Sequence, residues 1–182
     1  MKKTTLTIAL VLLTLGLGTN LSAQRTSRIY SNEYGHTLNI GLGIGGYSGY
    51  YGYIGHTLPV FDINYEFAVA RDFTLAPFLT IYSYSDANYR SIVTPIGVKG
   101  TAYLDRLLHA GPAWDFYVAG SLGVALESTT WDAGYTGDRT YYTSTDPLYL
   151  DFHLGTEYHF SNHIGGFLDL STGVSTIGIA IH

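Results

Sequence analysis

Strict alternation of apolar and polar residues between positions 61 and 69 is the feature that most constrains the fold of this chain. Phe61, Ile63, Tyr65, Phe67 and Val69 alternate with Asp62, Asn64, Glu66 and Ala68. Successive side chains of a β-strand point to opposite faces, so this period of two predicts a strand with one apolar and one polar face. Such a strand separates two environments. Its apolar face meets either a protein core or lipid, and the alternation alone leaves both open.

The first residues have the pattern of a secretory signal. Lys2 and Lys3 precede an apolar stretch over residues 6–18, and the small residues Ser22 and Ala23 follow. This order is typical of a cleavable leader, which predicts a signal peptide over 1–23, cleavage after Ala23, and one barrel domain over 24–182. No later segment has the roughly 20 apolar residues that a membrane-spanning helix needs. Any membrane residence would therefore be by strands.

The amino-acid composition restricts the classes of partner that the chain can bind and the environment that surrounds it. Without Lys2 and Lys3, seven of the nine Lys and Arg residues remain against 14 Asp and Glu, with no basic cluster, which argues against a nucleic-acid partner. The absence of cysteine excludes a disulfide framework, a thiolate zinc site and a lipid-modified N-terminal cysteine. Charged residues make up only 13% of the chain, whereas a water-soluble surface is about a quarter charged. That shortage favours lipid outside the sheet.

The same alternation continues through eight segments. We expect strands over 36–45, 60–70, 73–85, 91–103, 113–127, 148–160, 164–172 and 174–182. The inward face of 73–85 stays open, because Phe78 and Tyr82 make one face almost as apolar as the other. An even number of strands closes with both termini on one side. The fold class predicted is therefore all-β, an eight-stranded antiparallel up-and-down transmembrane β-barrel.

The lengths of the connections predict the orientation of this barrel. Outer-membrane barrels keep short turns on the periplasmic side and long loops outside. The connections near 71, at 105–112 and near 162 form the short set. Residues 46–59, 86–90 and 128–146 would then be external, with a tight last hairpin near Gly173.

Polar residues on the inward face are predicted to form a structural network. Eight strands enclose an interior just wide enough for side chains, which argues against a diffusive pore. Lys99 would be the hub of an ion-pair network that it shares with Asp62 and Glu66. The full predicted network comprises Asp62, Glu66, Lys99, Asp115, Asp151, His153, Glu157 and Asp169.

Aromatic residues in the predicted external loops are the candidates for recognition. A cell-surface glycan or protein would suit such side chains, although tyrosine is also common at membrane interfaces. The residues are Tyr47, Tyr50, Tyr51, Tyr53, Trp131 and Tyr135.

Four segments, 94–103, 114–124, 154–161 and 165–170, carry a family resemblance. The first reads Thr-Pro-Ile-Gly-Val-Lys-Gly-Thr-Ala-Tyr and the third Leu-Gly-Thr-Glu-Tyr-His-Phe-Ser. Through them the chain resembles the small outer-membrane β-barrel proteins common in Bacteroidetes, related in architecture to opacity and OmpX-like barrels. The resemblance implies residence in the cell outer membrane, with outer-membrane lipid and the barrel assembly machinery as partners, no cofactor and no assigned chemistry. The chain departs from it by ending in His182 rather than an aromatic residue.

Two motifs suggest chemistry, and each has a plainer interpretation. His159-Phe-Ser161-Asn162 matches the H-x-S-N element of lipid A deacylases, in which His and Ser act as base and nucleophile. The predicted position is a periplasmic turn, away from the outer leaflet.

A second motif is a set of three histidines, His153, His159 and His163, which could bind a metal together with Glu157. His153 and His159 would lie roughly 20 Å apart along one strand, too far for one ion. We therefore predict no catalytic residue, no metal and a structural or surface-interaction role. A lipid A-modifying esterase and a soluble periplasmic ligand-binding barrel remain the alternatives.

Overall fold

Residues 34–45, 47–48, 52–53, 59–86, 88–137 and 147–182 are described by the computed structural model, with side chains for all except 47, 48, 52, 53, 84 and 86. The predicted signal peptide over 1–23 lies outside these residues. The barrel strands are β1 (Thr37–Gly45), β4 (Val60–Ala70), β5 (Phe73–Asp86), β6 (Tyr89–Tyr103), β7 (Trp114–Trp131), β8 (Leu148–His159), β9 (Ile164–Ser171) and β10 (Val174–Ile181). Two short strands, β2 (Tyr47–Ser48) and β3 (Gly52–Tyr53), pair with each other, and a single helical turn, α1, spans Asp105–Leu108.

The eight long strands form a closed barrel. Each pairs with the long strand before it and the long strand after it in the chain, and the last, β10, pairs with the first, β1. The order is β1-β10-β9-β8-β7-β6-β5-β4, and every pairing is antiparallel. Closure is made by β1, whose Leu38 lies opposite Ile181 of β10 on one side and Tyr65 of β4 on the other. The predicted eight-stranded up-and-down barrel is confirmed. None of the described helices is long and apolar enough to cross a membrane.

Several connections differ from the prediction. The loop expected at 86–90 is shorter than predicted, because β5 reaches Asp86 and β6 begins at Tyr89. Strand β7 continues to Trp131, four residues beyond its predicted end, so the prediction of Trp131 as a loop residue is wrong. The extension is paired with β6, which begins earlier than predicted, and Trp131 lies opposite Tyr89 with ring centroids 5.1 Å apart. The connection 105–112, predicted as a turn, contains α1, which ends at His109 in the left-handed conformation (φ 52°).

The inward face of β5, which the sequence left open, is the face of Phe78 and Tyr82. Their side chains are only 8% and 2% exposed, while Ile81 is exposed on the outside. Tyr82 packs with Val60, Val93 and Val174 in an apolar cluster inside the barrel. All four lie near strand ends that lead to the connections predicted to be external, so an apolar cluster lies toward this end of the interior, beside the buried carboxylate of Asp151.

A glycine makes room for one of the aromatic rings of this interior. Gly155 of β8 lies directly opposite Tyr117 of β7, and a methyl group added at Gly155 would overlap the Tyr117 ring. We expect Gly155→Ala to lower the free energy of unfolding by about 1–3 kcal/mol, because overpacking displaces the ring. Urea unfolding in detergent, followed by tryptophan fluorescence, measures this loss.

Gly120→Ala provides a matched control in the neighbouring strand β7. A methyl group at Gly120 would meet only Phe152, at an ordinary contact distance of 4.0 Å. This change should alter the free energy of unfolding by about 0.5 kcal/mol or less. Equal losses in the two variants would contradict the overpacking argument.

Candidate functional site

A buried ion pair lies at the centre of the barrel interior. Lys99 of β6 donates to Asp169 of β9 at 2.6 Å, and the two side chains are 9% and 3% exposed. Asp169 also contacts His153 Nδ1 at 2.8 Å and accepts from the hydroxyl of Tyr117 at 3.1 Å. The Lys99 ammonium lies 5.2 Å from the centre of the Tyr117 ring. Several partners therefore compensate the desolvation of both charges, which a buried pair requires.

Asp169, rather than Lys99, is the hub of this network, which corrects the predicted arrangement. Within the described residues, the ion pair of Lys99 is with Asp169, and the hydrogen bonds of Asp62 and Glu66 come from uncharged donors. Lys99 lines one small cavity together with these two carboxylates, without a direct ion pair to either among the described residues. The sequence could not distinguish the three carboxylates, because their separation depends on the stagger between strands.

Neutral hydroxyl and amide groups satisfy the carboxylates of β4. Glu66 accepts hydrogen bonds from Asn39 at 2.9 Å, Thr74 at 2.6 Å and Tyr103 at 2.8 Å. Asp62 accepts from the hydroxyl of Thr80. Hydrogen bonds from hydroxyl and amide groups stabilise a buried carboxylate that forms no ion pair. The inward carboxylates of β4 therefore accept hydrogen bonds from three other strands, β1, β5 and β6.

Asp151 of β8 holds the tight hairpin between β9 and β10. Its carboxylate accepts from the backbone N–H of Gly173 at 2.8 Å and of Val174 at 3.3 Å. The hydroxyls of Ser171 and Thr172 also donate to it, at 2.9 Å and 2.6 Å. A residue predicted as one of several lumen charges therefore acts as a specific cap for a hairpin of the neighbouring strands.

A second group of titratable side chains lies at the opposite end of the interior. Glu157 Oε1 is 2.7 Å from His182 Nε2 and 3.8 Å from His159 Nδ1. His159 Nε2 is 2.8 Å from Asp115 Oδ2, and His182 Nδ1 is 3.0 Å from Thr37 Oγ1. The hydrogen bond to Glu157 raises the pKa of the His182 imidazole, which lies just beyond β10, against the opposite effect of its partial burial. We call Glu157, His159 and His182 the His–Glu cluster.

His182 is the member of this cluster that sequence reasoning missed. Of the predicted set of His153, His159 and His163, only His159 is a member of this cluster. His153 contacts Asp169, and His163 lies in the turn, where its carbonyl accepts from the backbone N–H of His182 at 3.0 Å. The pairing of His159 with Gly165, and of Gly165 with Ala180, brings His182 near. Only strand register, which the sequence does not display, reveals this neighbour.

The described interior leaves little free space. Two cavities beside Lys99 and Asp169 each hold a volume on the order of one water molecule. Of the buried side-chain polar atoms in the described residues, only Thr101 Oγ1 has no hydrogen-bond partner. The arrangement therefore suits a packed polar core rather than a binding chamber or channel.

The esterase motif has a different local geometry from a catalytic pair. Ser161 Oγ accepts from the backbone N–H groups of His163 at 3.3 Å and Ile164 at 3.2 Å. His159 directs its Nε2 to Asp115 instead. These contacts give Ser161 the role of a turn residue.

The candidate recognition residues are only partly described. Tyr50 and Tyr51, and the side chains of Tyr47 and Tyr53, lie outside the described residues. Trp131 stacks on Tyr135, with ring centroids 5.0 Å apart and an interplanar angle of 12°. Two of the six residues are therefore adjacent at the end of β7.

Several solved structures are similar to this chain. Neisserial surface protein A is 13% identical with a TM-score of 0.49, covering 80% of this chain and 92% of that chain. Ail, the attachment invasion locus protein of Yersinia pestis, is 7% identical with a TM-score of 0.45, covering 81% and 99%. The N-terminal barrel domain of Pseudomonas aeruginosa OprF is 10% identical with a TM-score of 0.44, covering 81% and 97%. No family model and no curated protein matches the chain. These likenesses assign no role to any residue.

We expect strong energetic coupling between the two members of the central ion pair, Lys99 and Asp169. Lys99→Met and Asp169→Asn should each lower the free energy of unfolding by about 3–5 kcal/mol, because each leaves a buried group without its partner. The double variant should lose less than the sum, with a coupling energy of about 1–3 kcal/mol. A double-mutant cycle from urea unfolding measures this quantity.

The surface pair Arg106–Asp72 is the control cycle. Its atoms lie 2.7 Å apart, but the side chains are 44% and 30% exposed. Arg106→Met with Asp72→Asn should therefore give a coupling energy of only about 0.2–1 kcal/mol. Coupling at the central pair no larger than at this surface pair would refute the role assigned to Lys99 and Asp169.

Proposed function

We propose that this barrel spans the cell outer membrane as a structural or surface-interaction protein with a filled polar lumen. The observation that carries the proposal is the opposite chemistry of its two faces. Apolar side chains are exposed on the outward face of every barrel strand, for example Leu42, Phe61, Leu122, Phe152 and Ile177. A monomer in water rarely exposes so large a continuous apolar surface, whereas lipid requires one.

The distribution of charge supports the same proposal. Among the charged strand residues whose side chains are described, Arg90 is the one on the outward face. It is the second residue of β6 and hydrogen-bonds Ser85, at an end where a long side chain can extend to a membrane interface. The others face inward, namely Asp62, Glu66, Lys99, Asp115, Glu127, Asp151, Glu157 and Asp169.

Aromatic residues are concentrated on the outside near the short connections. Trp114 packs against Tyr158 and Phe116, with ring centroids 4.8 Å and 6.1 Å apart. Phe160 continues the group, 5.5 Å from Tyr158. Aromatic belts of this kind sit at the edge of the hydrocarbon region in membrane proteins. This group would mark the periplasmic interface.

The proposed role follows from the packed interior and the loops. Six of the eight barrel strands have 9–18 residues, enough for a tilted crossing, which needs about 9–11, and β9 and β10 have 8 each. Among the described residues, the two cavities each hold on the order of one water molecule, which favours scaffolding over transport. External loops would then carry contacts with a cell-surface glycan or protein, and Trp131 at the end of β7 stacks with Tyr135 to form one aromatic platform beside them. Outer-membrane lipid and the barrel assembly machinery remain proposed partners, and leader cleavage after Ala23 remains a prediction.

The two alternatives have less support. A soluble ligand-binding barrel would need an internal site, and the described cavities hold on the order of one water each. An esterase acting on lipid A would need His159 beside Ser161, whereas each makes separate contacts. We therefore infer a non-enzymatic role.

A pair of leucine substitutions distinguishes lipid from water outside the barrel. Leu122, in the middle of β7, is 59% exposed, and Leu107 in α1 is 75% exposed. Leu122→Arg should lower the free energy of unfolding in bilayers by about 2–4 kcal/mol, because it places a charge at mid-membrane depth. Leu107→Arg should change it by about 0.5 kcal/mol or less.

Water outside the barrel would make both substitutions nearly neutral, since both leucines are exposed. Fractionation of cells provides an independent measurement of location. The proposal expects recovery in the membrane fraction and release only with detergent. Recovery in the soluble periplasm without detergent would overturn the membrane assignment.

A further inference from the structure

The His–Glu cluster brings three metal-ligating groups together at one end of the barrel interior. One ligand atom from each of Glu157, His159 and His182 lies within 4.8 Å of the other two. Ligands of tetrahedral zinc, bound at about 2.0–2.1 Å, are separated by about 3.3 Å. The distances of 2.7 Å and 3.8 Å from Glu157 Oε1 to the two imidazoles fall on either side of this value. Small side-chain movements would produce a tridentate site.

The second nitrogen of each imidazole already has a partner. His159 directs Nδ1 toward Glu157 and holds Asp115 through Nε2 at 2.8 Å. His182 directs Nε2 toward Glu157 and holds Thr37 through Nδ1 at 3.0 Å. Metal-binding histidines nearly always donate their other N–H to a carboxylate, carbonyl or water, and this bond fixes the ring. Asp115 takes that carboxylate position for His159, and the Thr37 hydroxyl holds the ring of His182.

The residues around the His–Glu cluster explain why Glu157, His159 and His182 lie close together and how an ion would reach them. Gly165 of β9 lies between the strands that carry the histidines, and the carboxylate of Glu157 occupies the space where its side chain would be. Glu157 is buried, while the side chains of both histidines are 24% exposed. Among the described residues, the ion pairs of Glu157 and Asp115 are with histidines rather than with Lys or Arg. The negative charge is therefore not already neutralised by a permanent cation.

We propose that Glu157, His159 and His182 form a binding site for one divalent transition-metal cation of the zinc class, with Asp115 as a positioning residue. Two imidazoles and one carboxylate are ligands that zinc accepts, and three protein ligands leave a fourth position for water. Bound metal would connect β8 to the end of β10, across β9. The site is independent of the proposed membrane role, because it lies inside the barrel.

Titration of the untagged full chain, folded in detergent, tests the proposal. We expect Zn²⁺ to bind with a stoichiometry of one in isothermal titration calorimetry, and Co²⁺ to give the intense visible absorption of a tetrahedral site. Asp115→Asn should weaken zinc binding by about 10–100-fold, because it disturbs the orientation of His159. His159→Gln and His182→Gln should each weaken it further, since each removes a ligand.

His109→Asn is the matched control. His109 is exposed, lies just after α1 and has a positive φ that asparagine tolerates. This variant should bind Zn²⁺ like the unchanged protein. The proposal is overturned by absence of zinc binding to the folded unchanged protein, by unchanged binding in both ligand variants, or by an equal loss in His109→Asn. Far-UV circular dichroism establishes that each variant is folded, and the metal titration of the unchanged protein needs no variant.

Discussion

Closure of the sheet is the constraint on which the other features of this barrel depend. Strand β1 pairs with β10 and β4 at once, so the described barrel strands have no unpaired edge. Every inward side chain must then fit inside a cylinder of eight strands, whose interior is filled by side chains. Gly155 has no side chain where the Tyr117 ring lies, and Gly165 has none where the Glu157 carboxylate lies. At these two positions, a glycine on one strand makes room for a large side chain from the neighbouring strand.

Closure also decides how the interior charges are stabilised. Water has little access, so each carboxylate needs hydrogen bonds from the protein. Asp169 obtains them from Lys99, His153 and Tyr117, and Glu66 obtains them from uncharged groups. Outside, the same strands expose apolar groups, which is the arrangement that lipid stabilises and water does not. The alternation of apolar and polar residues, with its period of two, thus produces both the polar interior and the apolar outer face of the barrel.

The fold could be predicted because this period is a local property. Alternation identified eight strands and most inward residues, and a closed interior then settled Phe78 and Tyr82 of β5 as inward. Contacts across strands could not be predicted, because they depend on register. The pairing of Lys99 with Asp169 instead of Asp62 or Glu66 is one example. The meeting of His182 with Glu157 is another, since 25 residues separate them in sequence. The alternation predicts that β7 ends at residue 127. Pairing with β6, in which Trp131 lies opposite Tyr89, extends the strand to Trp131.

The two ends of the interior differ in a way that bears on the role of the protein. At the end of the predicted external loops, an apolar cluster around Tyr82 lies beside a hairpin that Asp151 holds through backbone N–H groups. Neither feature offers exchangeable ligands. At the other end, the partly exposed imidazoles of His159 and His182 share Glu157, and these three groups are the proposed ligands of a metal ion. In the described middle of the barrel, the two cavities each hold on the order of one water molecule. The proposed roles therefore lie at the two ends, with recognition proposed for the external loops and cation binding proposed near the short connections.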